Sequence, residues 1–336
     1  RMSSEPLVSI LIPAYNCEKW IAGAIKSALA QTWPRIEVIV VDDGSKDRTV
    51  EVAGRFASTR VRVVSQPNRG ASAARNAAYS LAKGDYIQWL DADDLLHTDK
   101  IRLQMAEADG LASGRTLLSS EWGYFYHRSE NARFVPTALW CDLTPSEWMM
   151  RQMEQNLHMQ TATWLVSRAL SEAAGPWDPR MLVDDDGEYF CRVMTHADGI
   201  KFVPGAMTFY RRSGSGSLCH IGRSDPKREA QFLSMRLHIR YLLSIDNTER
   251  ARAACVRYLQ NWLIHFHPDR PDIVAQARRL ANDLGGSLEI PDFPRKYRWI
   301  QKTFGANLAR RVQMTVPNLK TSIIRSVDRA LYLLRP

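Results

Sequence analysis

Short apolar runs alternate with helix-period segments through the first hundred positions. Val8-Ser9-Ile10-Leu11-Ile12 stops at Pro13 and predicts a strand. Over residues 18–30, Trp20, Ile21, Ala24, Ile25, Ala28 and Leu29 recur at helical spacing. Glu37-Val38-Ile39-Val40-Val41 predicts a second strand, and residues 49–56 a helix with Asp47 as its N-cap. A third strand is predicted over 61–64, an Ala-rich helix over 71–82 closed by Gly84, and a fourth strand at Tyr86-Ile87-Gln88-Trp89-Leu90. Later elements read less regularly. Strands are predicted over 117–126 and 159–167, helices over 145–155 (capped by Thr144 or Ser146), 188–194, 229–244, 249–266 and 273–284, and an amphipathic stretch over 319–334. Residues 213–217, Ser-Gly-Ser-Gly-Ser, predict a flexible loop.

Strands apolar throughout and separated by helices imply an α/β fold whose mostly parallel sheet is covered on both faces. Right-handed crossovers then bring every strand's carboxyl end to one edge, where open α/β sheets bind ligands. Three polar clusters follow strand ends: Pro13-Ala14-Tyr15-Asn16, Asp42-Asp43-Gly44-Ser45 and Asp91-Ala92-Asp93-Asp94. They converge on one crevice.

Charge divides the chain. The formal net charge is +9. Residues 225–336 hold 20 Lys/Arg against 10 Asp/Glu, and residues 1–224 hold 25 against 26, so the whole excess lies in the last third. This predicts two parts with different partners, residues 1–224 and a basic helical extension, residues 225–336. With 45% hydrophobic residues the composition is that of a globular chain. No apolar run is long enough for a spanning helix, and the start, Arg1-Met2-Ser3-Ser4-Glu5-Pro6, has no signal-peptide core. Five cysteines without Cys-x-x-Cys spacing argue against a disulfide framework or zinc site and predict a reducing cytoplasm.

Each acidic cluster carries two readings. Either Asp93 and Asp94 cap a helix near Leu95, or Asp91, Asp93 and Asp94 hold a divalent cation through a diphosphate, since Mg²⁺-like ions take carboxylate and phosphate oxygens together. Asp42 and Asp43 either form a turn or accept hydrogen bonds from a base or ribose. Arg75 is either a solvated surface residue or faces the crevice beside a base or phosphate. Asp184-Asp185-Asp186-Gly187-Glu188 either serves the helix dipole or supplies a general base whose pKa its like-charged neighbours raise.

Val8 to Asn16 resembles the opening of family-2 glycosyltransferases of the GT-A fold. Val40-Val41-Asp42-Asp43-Gly44-Ser45 resembles that family's second signature, Asn68-Arg69-Gly70-Ala71-Ser72-Ala73-Ala74-Arg75-Asn76 its third, and Leu90-Asp91-Ala92-Asp93-Asp94 its metal motif. Downstream, Asp185-Asp186-Gly187-Glu188-Tyr189-Phe190-Cys191-Arg192 is similar to the family's Glu-Asp-x-Asp/Glu-x-x-x-Arg segment, and Gly175-Pro176-Trp177-Asp178 to its lead-in. The resemblance covers residues 7–215. It implies a GT-A catalytic domain, Rossmann-like with a mostly parallel sheet, followed by the helical extension. It further implies that Pro13, Ala14 and Tyr15 line the nucleotide pocket, that Asp43 with Asp42 reads the base and Arg75 lies near it, that Asp91 touches ribose or metal, that Asp93 ligates Mn²⁺ or Mg²⁺, and that Asp186 is the base. Asp185 stands where the family often has glutamate, which leaves the register among Asp184, Asp185 and Asp186 open. Ser213 stands where many members carry histidine, and His220 is either its substitute or a surface residue.

The activity so implied is metal-dependent inverting transfer from a nucleotide-diphosphate sugar, a UDP-sugar foremost, to a glycan or lipid-linked acceptor in surface polysaccharide synthesis. Acceptor candidates are Trp122, Tyr124, Tyr126, Trp140, Trp164 and residues 158–161. The tail from residue 300 has 7 Lys/Arg and one acidic residue, Asp328. Its helix, with Ile323, Val327, Leu331 and Leu334 on one face, either lies on an anionic membrane, placing the enzyme on the inner face of the cell membrane, or packs on the catalytic domain or a homodimer partner. Nothing resembles a nucleic-acid-binding motif. A nucleotidyltransferase would need a Gly-rich basic loop after the first strand, and a dinucleotide enzyme Gly-x-Gly-x-x-Gly; both are missing. The remaining alternative is a catalytically degenerate sugar-nucleotide-binding scaffold.

Overall fold

The structure is a computed structural model that describes residues 5–108, 114–212, 221, 224–291, 303, 322 and 324–332. Its centre is β1 (Val8–Ala14), paired in parallel with β2 (Ile36–Asp42) from Val8 opposite Ile36 to Ala14 opposite Asp42. β3 (Val61–Ser65) extends the sheet beyond β2, and β4 (Tyr86–Trp89) lies parallel on the other side of β1. Side chains alternate across a strand. Ile10 and Ile12 therefore pack with Ile21 and Ile25 of α1 (Ile21–Leu29), while Leu11 packs with Ala74 and Ala78 of α3 (Ala71–Leu81). Burial on both faces is why β1 and β2 read as unbroken apolar runs.

The helix α2 (Thr49–Gly54) starts where expected and ends two residues sooner, but its cap is not Asp47. Arg48 occupies the cap position, and Asp47 accepts hydrogen bonds from Thr49 N (3.0 Å) and Glu18 N (3.1 Å). Beyond Trp89 a two-residue strand, β5 (Leu95–Leu96), replaces any helix capped by Asp93 and Asp94, and α4 (Lys100–Ala108) follows. The second half adds β6 (Thr116–Phe125), β7 (Arg133–Phe134), α5 (Pro145–Gln155), β8 (Leu165–Ser167), α6 (Arg168–Ala174), α7 (Asp185–Met194) and β9 (Gly199–Arg211). Among the described residues the sheet runs β3-β2-β1-β4-β8-β6-β9-β5, with β7 on β6; β8 is antiparallel to both β4 and β6. Thr144 caps α5, accepting from Glu147 N at 3.2 Å.

The strand expected over 159–167 is mostly a turn. The Gln160 side chain accepts from Ala162 N (2.6 Å) and starts a tight 3₁₀ turn at residues 161–163, leaving only Leu165–Ser167 extended. The turn is braced from below: Gln88 Nε2 donates to Ala162 O (2.9 Å) and Gln104 Nε2 to Thr163 O (3.0 Å), while the buried Lys100 ammonium donates to both glutamine oxygens at 2.6 Å.

Helices α8 (Asp225–Ile245), α9 (Glu249–Trp262) and α10 (Pro271–Asp283) follow. Phe232, Met235, Ile239 and Leu242 of α8, and Tyr258 and Leu259 of α9, share one apolar core with Trp89, Trp164, Trp177 and Phe190. Among the described residues no helix is long and apolar enough to cross a membrane.

Candidate active site

The loops after β1 and β2 are laced together. Asn16 N donates to Ser45 Oγ and Lys46 N to Asn16 Oδ1, both at 2.8 Å. Pro13 is half-buried and Ala14 buried beneath, and Tyr15 is exposed above them. Asp42 makes a turn: its Oδ2 accepts from Gly44 N and Ser45 N, each at 3.1 Å. Gly44 has φ +75°, and a Cβ there would stand 2.8 Å from Asn68 N, so the approach of the two loops needs glycine. Asp43, also buried, grips the turn before α3, with Gln66 Nε2 (2.8 Å) and Arg69 N (2.9 Å) on Oδ1 and Gly70 N (2.8 Å) on Oδ2.

Arg75 is not solvated. It is buried, lies 4.4 Å above the Trp177 ring, donates to Asp91 Oδ1 at 2.9 Å and makes a short ion pair with Asp185 Oδ2. One guanidinium thus ties the end of β4 to the start of α7, a planar fork doing what a lysine point charge cannot. Burial opposes its charge, but Asp185, Asp91 and Asp186 outweigh that, and its pKa is raised.

The carboxylates after β4 divide. Asp94 turns into the fold, accepting from Arg211 N (2.7 Å) and from Gln160 Nε2, and desolvation, then Asp93 and Asp91, push its pKa well up. Asp91 and Asp93 remain partly exposed. Arg211 Nε donates to the Asp93 carbonyl at 2.8 Å, with its guanidinium 4.1 Å from the Trp20 ring centre.

At α7 the three aspartates face three ways. Asp184 points to α8, where Ser234 Oγ donates to it at 2.6 Å. Asp185 pairs with Arg75. Asp186 accepts from Thr161 Oγ1 at 2.9 Å and from Gly187 N at 2.9 Å. Its pKa is pushed up to about 7, by desolvation first and then by Asp185 and Asp184, with Arg75 and Thr161 pulling the other way. The turn at 160–163 therefore touches two acids at once, Asp94 through Gln160 and Asp186 through Thr161.

Among the described residues no group of three or more His, Cys, Asp or Glu forms a closed metal cage. Asp91 and Asp93 offer one or two hard oxygens, the number such cations take when substrate phosphates and water complete the shell. The residues fit that use.

Of the aromatic candidates, Trp164 is a core residue, stacked on Phe190 at 5.3 Å and edge-on to Trp148. Trp140 stacks on Phe202. Trp122 contacts His158 (5.2 Å) and Tyr210 (6.0 Å), and Arg212 lies 3.8 Å over the Tyr124 ring. A groove of about 550 Å³ is lined by Tyr124, Tyr126, Arg128, Arg133, Ile324 and Val327. Ser213, His220, the loop over 213–217, Ile323 and Leu334 lie outside the described residues. Sequence reasoning overlooked Arg211 and the bridging role of Trp177 beneath Arg75; the Gly175-Pro176-Trp177-Asp178 string was the available signal for the latter.

A sheet of this order, with acidic strand ends facing the N-terminus of α7, is the GT-A fold. The crystal structure of S. aureus TarS 1-349 in complex with UDP-GlcNAc superposes with a TM-score of 0.65 at 19% identity, covering 83% of this chain and 80% of that one. Residues 9–170 match the family model "Glycosyl transferase family 2", and this part of the chain belongs to that family. The chondroitin synthase of Pasteurella multocida (strain Pm70) is 49% identical over 104 residues, 30% of this chain and 11% of that protein. The Escherichia coli UDP-Glc:alpha-D-GlcNAc-diphosphoundecaprenol beta-1,3-glucosyltransferase WfaP is 43% identical over 100 residues, again 30% of this chain and 40% of the relative. The chain therefore spans well under two thirds of either relative's length.

Proposed function

We propose that the protein is a glycosyltransferase that moves a sugar from a nucleoside-diphosphate sugar, a UDP-sugar foremost, to a hydroxyl of a growing or lipid-linked glycan, with inversion at the anomeric carbon. The observation that carries this reading is the Arg75 bridge, which holds Asp91 and Asp185 in one cleft beside Asp186. The names of the family-2 relatives and the UDP-GlcNAc complex of TarS support the donor and acceptor classes.

In this reading Asp186 takes the acceptor proton as the hydroxyl attacks. Thr161 holds one of its oxygens and the Gly187 amide the other, so the carboxylate meets the acceptor in one orientation. Arg75 pairs with Asp185 and Asp91 and offsets part of the negative charge beside Asp186. Asp91 and Asp93 would hold Mn²⁺ or Mg²⁺, which when bound neutralises the departing diphosphate as a Lewis acid. Asp43 shapes the base pocket by fixing the 66–70 turn, and Tyr15 supplies an exposed ring at its mouth. The groove beside Tyr124 and Tyr126 offers the acceptor aromatic faces and two arginines.

A panel of nucleotide sugars tests the donor and the cation together. A donor at a hundred times its Kd stabilises the fold by about 2.7 kcal/mol. The melting temperature rises with the right UDP-sugar plus Mn²⁺ and returns to baseline with EDTA. A rise that survives EDTA rejects the cation's part.

Residues 324–332 are helical and dock on the end of β6 through Asp328, which accepts from Arg128 Nε (2.7 Å) and His127 N (2.8 Å). That contact supports the packed reading of the tail. Val327 (55% exposed), Leu331 (45%) and Arg329 remain open and support an anionic membrane as its second partner. Such attraction is worth about 1 kcal/mol per basic residue and fades with salt. The full chain floats with phosphatidylglycerol vesicles at low salt, and a chain cut near residue 300 stays at the bottom of the gradient. Equal behaviour of the two chains removes the membrane partner.

A further inference from the structure

Asp184 sits at the cap position of α7 with φ +56°, in the left-handed region. Aspartate reaches that region at a cost that must be held by surrounding contacts. Its side chain makes no cap bond to α7 and runs back across Gly187, where a Cβ would stand 2.1 Å from Asp184 Oδ1. It ends against α8. Ser234 Oγ donates to Oδ2 at 2.6 Å, Ser234 Oγ meets His238 Nε2 at 3.3 Å, and His238 Nδ1 meets the Tyr258 hydroxyl of α9 at 3.0 Å. Ser234 and His238 are fully buried, and Tyr258 is 1% exposed.

Proton counting gives this chain a direction. An ionised Asp184 only accepts, so the single Ser234 proton goes to it. His238 must then donate from Nε2 to Ser234, and its Nδ1 must accept from Tyr258. Burial suits this neutral imidazole, lowering its pKa to about 4. All three contacts are satisfied in one arrangement.

We infer that Ser234 and His238, backed by Tyr258, are positioning residues for the transfer, through which the basic helical extension sets the first turn of α7 and hence the aim of Asp186. The inference rests on the reading of Asp186 as base. Asp184 and Asp186 flank Asp185 on one turn, so a change in the backbone at Asp184 moves both other carboxylates. A misplacement of about 1 Å costs on the order of 10²-fold in rate.

The test uses the full chain, with UDP release from UDP-GlcNAc and UDP-glucose in Mn²⁺ as readout. Ser234→Ala lowers kcat by about 10- to 100-fold with the donor KM held within about twofold, because the base is mis-aimed and the donor pocket is untouched. Asp184→Asn keeps an acceptor oxygen for Ser234 and the left-handed backbone, and holds kcat within about threefold at pH 8; Asp184→Ala does not. If Ser234→Ala does not fold, Tyr258→Phe removes one oxygen at nearly constant volume and carries the same comparison. Parent-like kcat in Ser234→Ala, or in Tyr258→Phe where that variant stands in, overturns the inference. So does a loss that Asp184→Asn shares in full. Asp186→Asn is run beside them. If it is active, the base assignment fails; if it is inactive while Ser234→Ala is parent-like, only the positioning role fails. Nitrogen-15 spectra of the full chain at pH 8 give a readout free of turnover: His238 carries its proton on Nε2, and a proton on Nδ1 contradicts the chain.

Discussion

Asp186→Asn binds donor as the parent does and turns it over about 10²–10⁴-fold more slowly, the usual worth of a general base. The amide keeps the size of the side chain and can still accept from Thr161 Oγ1, so the turn at 160–163 has no cause to move. What is removed is the ability to take a proton, together with the acceptor that the second carboxylate oxygen gives the Gly187 amide. The donor Kd by calorimetry and kcat by coupled UDP release separate the two quantities. Because the folded pKa of about 7 lies above the ordinary 3.8, the parent's kcat/KM climbs with pH through that value as the carboxylate form fills. The same shift has a signature in stability. Between about 4 and 7 the folded state binds a proton that the unfolded state has released, so this residue's contribution falls as pH rises. Asp186→Asn abolishes that slope and melts no lower than the parent at pH 8. Full turnover in the variant would reject the assignment.

Arg75→Met is the second large effect. It leaves Asp91 and Asp185, with side chains 29% and 20% exposed, without the cation that joins them. Removing one member of a buried charge network costs about 3–5 kcal/mol, with the partial exposure of both carboxylates placing this case at the lower end. Activity falls further than folding alone explains. Arg75 is also among the groups that hold the Asp186 pKa down, so its loss moves the alkaline-rising limb of kcat/KM to higher pH. Arg75→Lys recovers part of the stability and little of the rate, since one ammonium cannot bond both carboxylates in the fork geometry. A chemical denaturation midpoint and a pH–rate profile measure the two effects. An Arg75→Met variant with the parent's pH limb would break the link between Arg75 and the base.

The half of the fold nearest the N-terminus was readable because its strands are buried on both faces and its helices present clean apolar stripes. Val8–Ala14, Ile36–Asp42 and Ala71–Leu81 follow that rule. It fails at α4, where the buried face carries Lys100 and Gln104, polar groups satisfied by one another and by the 160–163 turn. It fails at β9 as well, where Pro204 and Gly205 interrupt the pattern and the pairing with β6 shifts between Ser120 and Trp122. The acidic residues were legible as clusters, but their division was not. Nothing local says that Asp94 turns inward while Asp93 does not, because the partners that decide it, Gln160 and Arg211, lie 66 and 117 residues away. Arg75 misleads for the same reason: its helix is Ala-rich and polar, and only the distant Trp177, Asp91 and Asp185 make a buried cation tolerable there.

The interlock of Asn16 with Ser45 and Lys46 bears on how ligands are told apart. With those two loops stitched before anything arrives, little ordering entropy is left to spend on the nucleotide half of a donor. Nucleotides that share a base should thus dock with nearly the same free energy whatever sugar they carry. On the proposed reading, discrimination among sugars then falls to residues outside these two loops.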